Sequence, residues 1–203
     1  AKSRIEGLCA AFLFLLVALI FTWPLFKHFS EAIPQGGLPV AAAISQLFCA
    51  EWTGRVFDEA KSYWDAPFYY PFRGAFAWGE PQPLSCLIIW LMAKLSGYIF
   101  AYNLLIIFYL VGFGLVGYYT SRLITEDRIA ALWSGMWLTG GAFSLQTLWG
   151  LPLLAAAFPT GCIFFSLLFI KKKNYRYFWS AVFCYVLTWF TCKQIGLFVS
   201  ILL

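Results

Sequence analysis

Residues 7–26 read GLCAAFLFLLVALIFTWPLF, a run with no charged side chain. That length matches the roughly 20 apolar residues an α-helix needs to cross a hydrocarbon core of about 30 Å. Comparable runs recur at 99–119, 129–147, 151–170 and 177–199. They are continuously apolar, whereas the strands of a single-chain barrel alternate polar and apolar residues, so a β-barrel is excluded. The expected fold is an all-α integral membrane protein forming one membrane domain over residues 1–203. It has about five transmembrane helices plus outer-face juxtamembrane helices. Composition agrees: 62% of the 203 residues are hydrophobic and only 11% charged, against about 25% charged in soluble domains.

Between the first two runs the chain turns polar and is punctuated by Pro34, Pro39, Pro67, Pro71, Pro81 and Pro83. Residues 27–98 therefore read as one long loop outside the bilayer. Within it, residues 41–60 have helical spacing without a full apolar span, as a helix lying on the membrane surface would. Residues 83–95, PLSCLIIWLMAKL, are apolar but short for a span and carry Lys94 near their end.

Charge decides whether that short run crosses. If it stays on the surface, one side of the membrane gathers Lys2, Arg4, Arg122, Arg128, Lys171, Lys172, Lys173 and Arg176. The other side holds Lys27, Arg55, Lys61, Arg73 and Lys94 against Glu31, Glu51, Asp58, Glu59, Asp65 and Glu80. This asymmetry is what the positive-inside rule requires, and it collapses if 83–95 crosses. The N-terminus is thus expected in the cytoplasm and loop 27–98 outside it, as a second surface helix at 83–95 demands. The net charge of +5 then serves mainly as an orientation signal, and nucleic acid is not an expected partner.

The six cysteines include no CxxC pair, and His28 is the single histidine, which excludes the usual zinc and haem patterns. Cys49 and Cys86 fall on the outer side. They either bridge in an oxidising compartment or stand as two buried thiols. Small residues Gly112, Gly114 and Gly117 on one run, and Ala131, Gly135 and Thr139 on the next, allow close helix packing.

The polar candidates gather in DAPFYYPFRGAFAWGEPQPL, residues 65–84. Aromatic side chains and prolines build a stiff interfacial platform, and its charges suit a lipid-linked substrate whose phosphate meets Arg73 or Lys94, with Glu80 as a further polar contact. Lys193 lies 16 residues past the cytoplasmic end of the last run, roughly 24 Å along a helix, near the outer face. There it either snorkels to the interface or meets a phosphate.

Two stretches carry a resemblance. Phe68, Tyr69, Pro71, Glu80, Pro83 and Leu84 form a pattern like FYP…E…PL. Ala101, Tyr102, Asn103, Leu104, Gly114, Tyr118, Arg122, Leu123, Ala130, Ala131, Leu132 and Gly135 form one like AYNL…G…Y…R.L…AAL..G. With the N-terminal anchor and long outer loop, the chain resembles the N-terminal half of bacterial polytopic glycosyltransferases of the C superfold, over most of residues 7–203. These enzymes take sugars from polyprenyl-phosphate carriers. The resemblance implies a surface helix at 83–95, a bacterial inner-membrane location, membrane lipids and a polyprenyl-phosphate carrier as partners, and an acid after the first span acting as base or metal ligand. A divalent cation is a cofactor it allows, though no ligand pattern supports one. The matching stretch, PQGGLPV at 34–40, has no carboxylate; Glu31 and Glu51 are the nearest replacements.

Two functions follow. One is sugar transfer from a lipid-phosphate carrier, with Glu51 or Glu31 as acceptor-side base, Arg73, Lys94 and Lys193 on the carrier phosphate and Glu80 beside them. The alternative is a non-catalytic structural or accessory subunit of a larger membrane complex, its aromatic surface buried against partner helices or lipid. The chain ends inside an apolar run, so it is expected to be either a partial member of the family or an accessory protein.

Overall fold

The computed structural model describes residues 2–34, 41–67, 72–74, 76, 82–142, 144 and 155–202, and these are helical or turn, with no strand. The helices are α1 (Lys2–Phe21), α2 (Trp23–Lys27), α3 (Ala41–Glu59), α4 (Pro83–Ser96), α5 (Tyr98–Thr125), α6 (Arg128–Gly140), α7 (Ala157–Lys172), α8 (Tyr175–Thr191) and α9 (Lys193–Leu202).

Among the described residues one helix, α5, with 28 residues, is long and apolar enough by itself to cross a membrane. It is the axis of the fold and packs against α1, α3, α4, α6 and α7. Its first half supplies Ala101, Tyr102, Leu105, Ile106 and Leu110 to the largest core cluster, where α3 contributes Ala50 and α4 contributes Cys86 and Ile89. The small residues read from the sequence lie where they were expected to matter. A side chain on Gly114 would meet Thr139, one on Gly135 would meet Phe14, and Ala131 and Thr139 are fully buried.

Several boundaries differ from the apolar runs, each for a local reason. The first run breaks at Thr22, whose hydroxyl bonds back to the Ala18 carbonyl at 2.7 Å, and Pro24 then starts α2 without an N–H to give. The run 129–147 gives α6 only as far as Gly140; Gly141 is extended and closes the helix through its N–H to Trp137 O at 2.8 Å. Of the run 151–170, residues 151–154 lie outside the described residues, and α7 begins at Ala157. Helices form at the two stretches expected to be helical, 41–60 and 83–95, as α3 and α4, and Gly97 turns the chain from α4 into α5 with φ +82°, a left-handed value that suits glycine.

The largest departure is at 177–199, expected as a straight span. The helix stops at Thr191 and Cys192 is extended (φ −153°, ψ 106°). Thr188 and Thr191 turn their hydroxyls onto the carbonyls of Cys184, Leu187 and Thr188, so the end of α8 is satisfied internally. Next, α9 runs back along α8: Gly196 lies under the Trp189 indole, and the Tyr185 and Ser200 hydroxyls meet at 2.7 Å.

Ion pairs tie together one end of the bundle. Arg128 at the start of α6 pairs with Glu6 of α1 at 2.6 Å, and Lys171 at the end of α7 pairs with Glu126 of the α5–α6 turn at 3.3 Å. The start of α1, the α5–α6 turn and the α7–α8 turn therefore share one end, and the start of α5, with α3 and α4 packed on it, is at the other.

Candidate functional site

The end of α5 opposite the basic turns is a polar anchor made by two adjacent residues. Tyr102 donates its hydroxyl to Gln46 Oε1 of α3 at 3.0 Å. Asn103, fully buried, donates its amide to the carbonyls of Phe29 at 2.8 Å and Ala32 at 2.7 Å. One turn of α5 thereby holds both α3 and the turn that follows α2. Farther along α5, the Tyr109 and Ser85 hydroxyls meet at 2.8 Å and fix α4.

The turn held by Asn103 carries Glu31. Its carboxylate lies 3.4 Å from His28 Nδ1, and both side chains are exposed. Beside them Thr22, Pro24, Leu25, His28, Ala32 and Ile33 line a groove of about 320 Å³ just past the end of α1. This is an open carboxylate–imidazole pair at the mouth of a mostly apolar groove.

The second group spans α3 and α4. Gly54 faces Trp90, Phe57 stacks on the Trp90 ring at 4.8 Å, and Asp58 pairs with Lys94, so the two helices run in the same direction. Lys94 lies 4.0 Å from the Trp90 ring centroid and 3.5 Å from Asp58 Oδ1, and the Trp90 indole donates to Asp58 Oδ2 at 3.3 Å. Two turns before Asp58 on α3, Glu51 accepts from Arg55 at 2.6 Å. These pairs are about half exposed, and an ion pair in such a setting is worth about 0–1 kcal/mol. An incoming phosphate oxygen can therefore compete for Lys94 at little cost.

The structure brings Glu51 and Lys94 onto one two-helix face, through Arg55 and Asp58. Glu31 belongs to the turn after α2. Arg73 is exposed in a turn whose next residue, Gly74, donates its N–H to Asp65 at 2.8 Å. Lys193 is exposed as the first residue of α9, at the tip of the α8–α9 fold-back instead of inside a helix. Glu80, with the whole of the FYYP and AWGEP segments, lies outside the described residues. Asp58, Trp90 and Asn103 acquire their roles from packing across elements. Of the contacts at this site, the helical-spacing pairs Glu51–Arg55, Trp90–Lys94 and His28–Glu31 are visible in the sequence itself, whereas those between α3 and α4 are not.

Among the described residues no three His, Cys, Asp or Glu side chains gather to hold a metal ion. Glu31 is paired with His28 and Glu51 with Arg55. Cys49 and Cys86 are free thiols. Burial pushes Cys49 up to about 11 and Cys86 up to about 12, from an ordinary value of 9.0. Both are therefore protonated and unreactive near neutral pH.

Comparison of the chain with protein-family models, with curated proteins and with solved structures returned no match.

Proposed function

We propose that this chain is the membrane-embedded N-terminal module of a glycosyltransferase of the C type, taking a sugar from a polyprenyl-phosphate carrier. In this reading α1, α5, α6, α7 and α8 cross a bacterial inner membrane, with the shared basic end in the cytoplasm and α3 and α4 on the outer face. The observation that carries it is the Asn103 clamp, which fixes a solvent-open carboxylate, Glu31, immediately beyond the first span. That is the neighbourhood in which the resemblance calls for an acceptor-side base, although the acid itself is displaced from the PQGGLPV stretch.

Glu31 then takes the proton from the acceptor hydroxyl as its oxygen bonds to the sugar anomeric carbon. The bond from that carbon to the carrier phosphate breaks, and the phosphate leaves with the electron pair. Lys94, held over Trp90, meets the phosphate charge at the interface. His28 positions the Glu31 carboxylate. Glu51 has a structural part, because Arg55 already occupies it at 2.6 Å.

The test is sugar transfer in membranes carrying the intact protein, with a polyprenyl-phosphate sugar as donor. Glu31→Gln should lower the rate by about 10²–10⁴-fold, the usual contribution of a general base, and Glu51→Gln should leave it nearly unchanged. Full transfer by Glu31→Gln removes that residue from the mechanism. Absence of transfer by the parent favours the second reading, an accessory subunit, which the pairing of both candidate acids with basic neighbours supports.

A further inference from the structure

At the opposite end of the bundle, α7 and α8 enclose a groove of about 400 Å³ that the transfer reaction does not use. Ser166, Phe169, Ile170, Phe178, Val182 and Tyr185 line it, so it is apolar over most of its length. It runs beside α7 from Cys162 to Ile170, roughly 12 Å at the rise of an α-helix. One end opens directly under the α7–α8 turn.

That turn is basic and its backbone is fixed. Lys173 adopts a left-handed conformation (φ 52°) and gives its N–H to Phe169 O at 2.7 Å, closing α7. Asn174 then caps α8 by accepting from the Arg176 N–H at 3.0 Å. Lys172, Lys173 and Arg176 are exposed around this turn. Lys172 lies 5.5 Å from the Tyr177 ring centroid, at the start of α8.

The supply of counter-charge on this side is small and already committed. No Asp or Glu follows Asp127 anywhere in the sequence. Glu6 is paired with Arg128, Glu126 with Lys171, and the Asp127 side chain caps α6. Among the described residues Lys172, Lys173 and Arg176 have no carboxylate partner. Orientation in the membrane would be secured by the charges alone. A fixed basic turn set on the mouth of an apolar groove is a shape complementary to an amphiphile with an anionic head.

We infer that the α7–α8 turn and groove bind an anionic diacyl phospholipid of the cytoplasmic leaflet. Lys172, Lys173 and Arg176 hold its phosphate, and the first part of one acyl chain lies against Phe169, Phe178 and Val182. This rests on the membrane-embedded reading above and is independent of the sugar-transfer reading.

Native mass spectrometry of the detergent-purified protein, titrated with phosphatidylglycerol or with phosphatidylcholine of the same chains, tests it. The parent should retain phosphatidylglycerol about tenfold or more over phosphatidylcholine. Lys172→Gln/Lys173→Gln/Arg176→Gln should bring the two lipids level, and Val182→Trp, which fills the groove, should weaken both. Arg122→Gln/Arg128→Gln, on the neighbouring turn away from the groove, should keep the preference, as should Glu31→Gln, which separates this site from the transfer chemistry. Circular dichroism confirms that each variant is folded. The inference is overturned by equal retention of the two lipids by the parent, by a preference that survives the triple substitution, by its equal loss in the Arg122/Arg128 variant, or by retention of neither lipid.

Discussion

Gly54 and Trp90 meet so closely that a methyl group on Gly54 would stand 2.6 Å from the indole Cδ1, and as close to the Tyr98 hydroxyl. The α3–α4 face that presents Lys94 therefore depends on the absence of a side chain. Gly54→Leu should destabilise the protein by about 1–3 kcal/mol, the usual cost of overfilling a packed contact. Gly54→Ala should be milder, because the helix-propensity gain of about 1 kcal/mol from Gly to Ala offsets part of the clash. Thermal unfolding in detergent checks both. Equal stability of the Leu variant and the parent would mean that α4 does not pack on Gly54.

Asn103 is the second structural dependency, and the consequence of losing it is directional. Asn103→Leu keeps the volume but leaves the Phe29 and Ala32 carbonyls without their donor, at about 1–3 kcal/mol for each one left dry. Asn103→Asp should fail similarly, since a carboxylate cannot donate. The turn carrying His28 and Glu31 should loosen before the helices do. The measurement is limited proteolysis: cleavage near residues 28–34 should accelerate in both variants while helical circular dichroism stays at the parental level.

These two dependencies mark where sequence reading succeeds and where it stops. The bounds of α3 and α4 are legible because a polar, proline-punctuated stretch surrounds them and Pro83 and Gly97 mark the ends of α4. Close packing of α5 on α6 is legible because glycine, alanine and threonine recur on the facing runs. The groupings between α3 and α4 are not, since Asp58 and Lys94 are brought together by tertiary contact across a long loop. The break at Cys192 is hidden for a related reason. TWFTCKQIGLFV is mostly apolar on both sides of Lys193, and what makes α9 fold back is Trp189 covering Gly196, a contact local hydropathy does not register.

The buried thiols give a pH dependence with a definite sign. Burial raises Cys49 to about 11 and Cys86 to about 12 in the folded protein, above the 9.0 of an exposed thiol. The folded state thus holds these protons more tightly than the unfolded chain. Their contribution to stability is complete below pH 9 and is lost as pH rises from 9 towards 11 and 12. The unfolding midpoint should be flat between about pH 7 and 8.5 and fall above pH 9. Cys49→Ala/Cys86→Ala should lower stability overall but flatten the alkaline slope. An unchanged slope would assign it to other groups.

The fold-back of α9 sets the last prediction, which also tests the spanning arrangement. With 17 residues, α8 is roughly 26 Å long, close to the bilayer core of about 30 Å. Lys173 and Lys193 should therefore sit near opposite surfaces. Because α9 returns alongside α8, with Ser200 beside Tyr185, a crossing α8 should place residue 200 back within the bilayer, whereas a straight continuation of α8 would carry it into water. In intact cells, a membrane-impermeant maleimide should label Lys193→Cys above the parental background. Lys173→Cys should react only after the membrane is opened, and Ser200→Cys should stay unlabelled in both states. Labelling of Ser200→Cys in intact cells would show that α9 continues outward. Labelling of Lys173→Cys and Lys193→Cys from the same side would show that α8 does not cross.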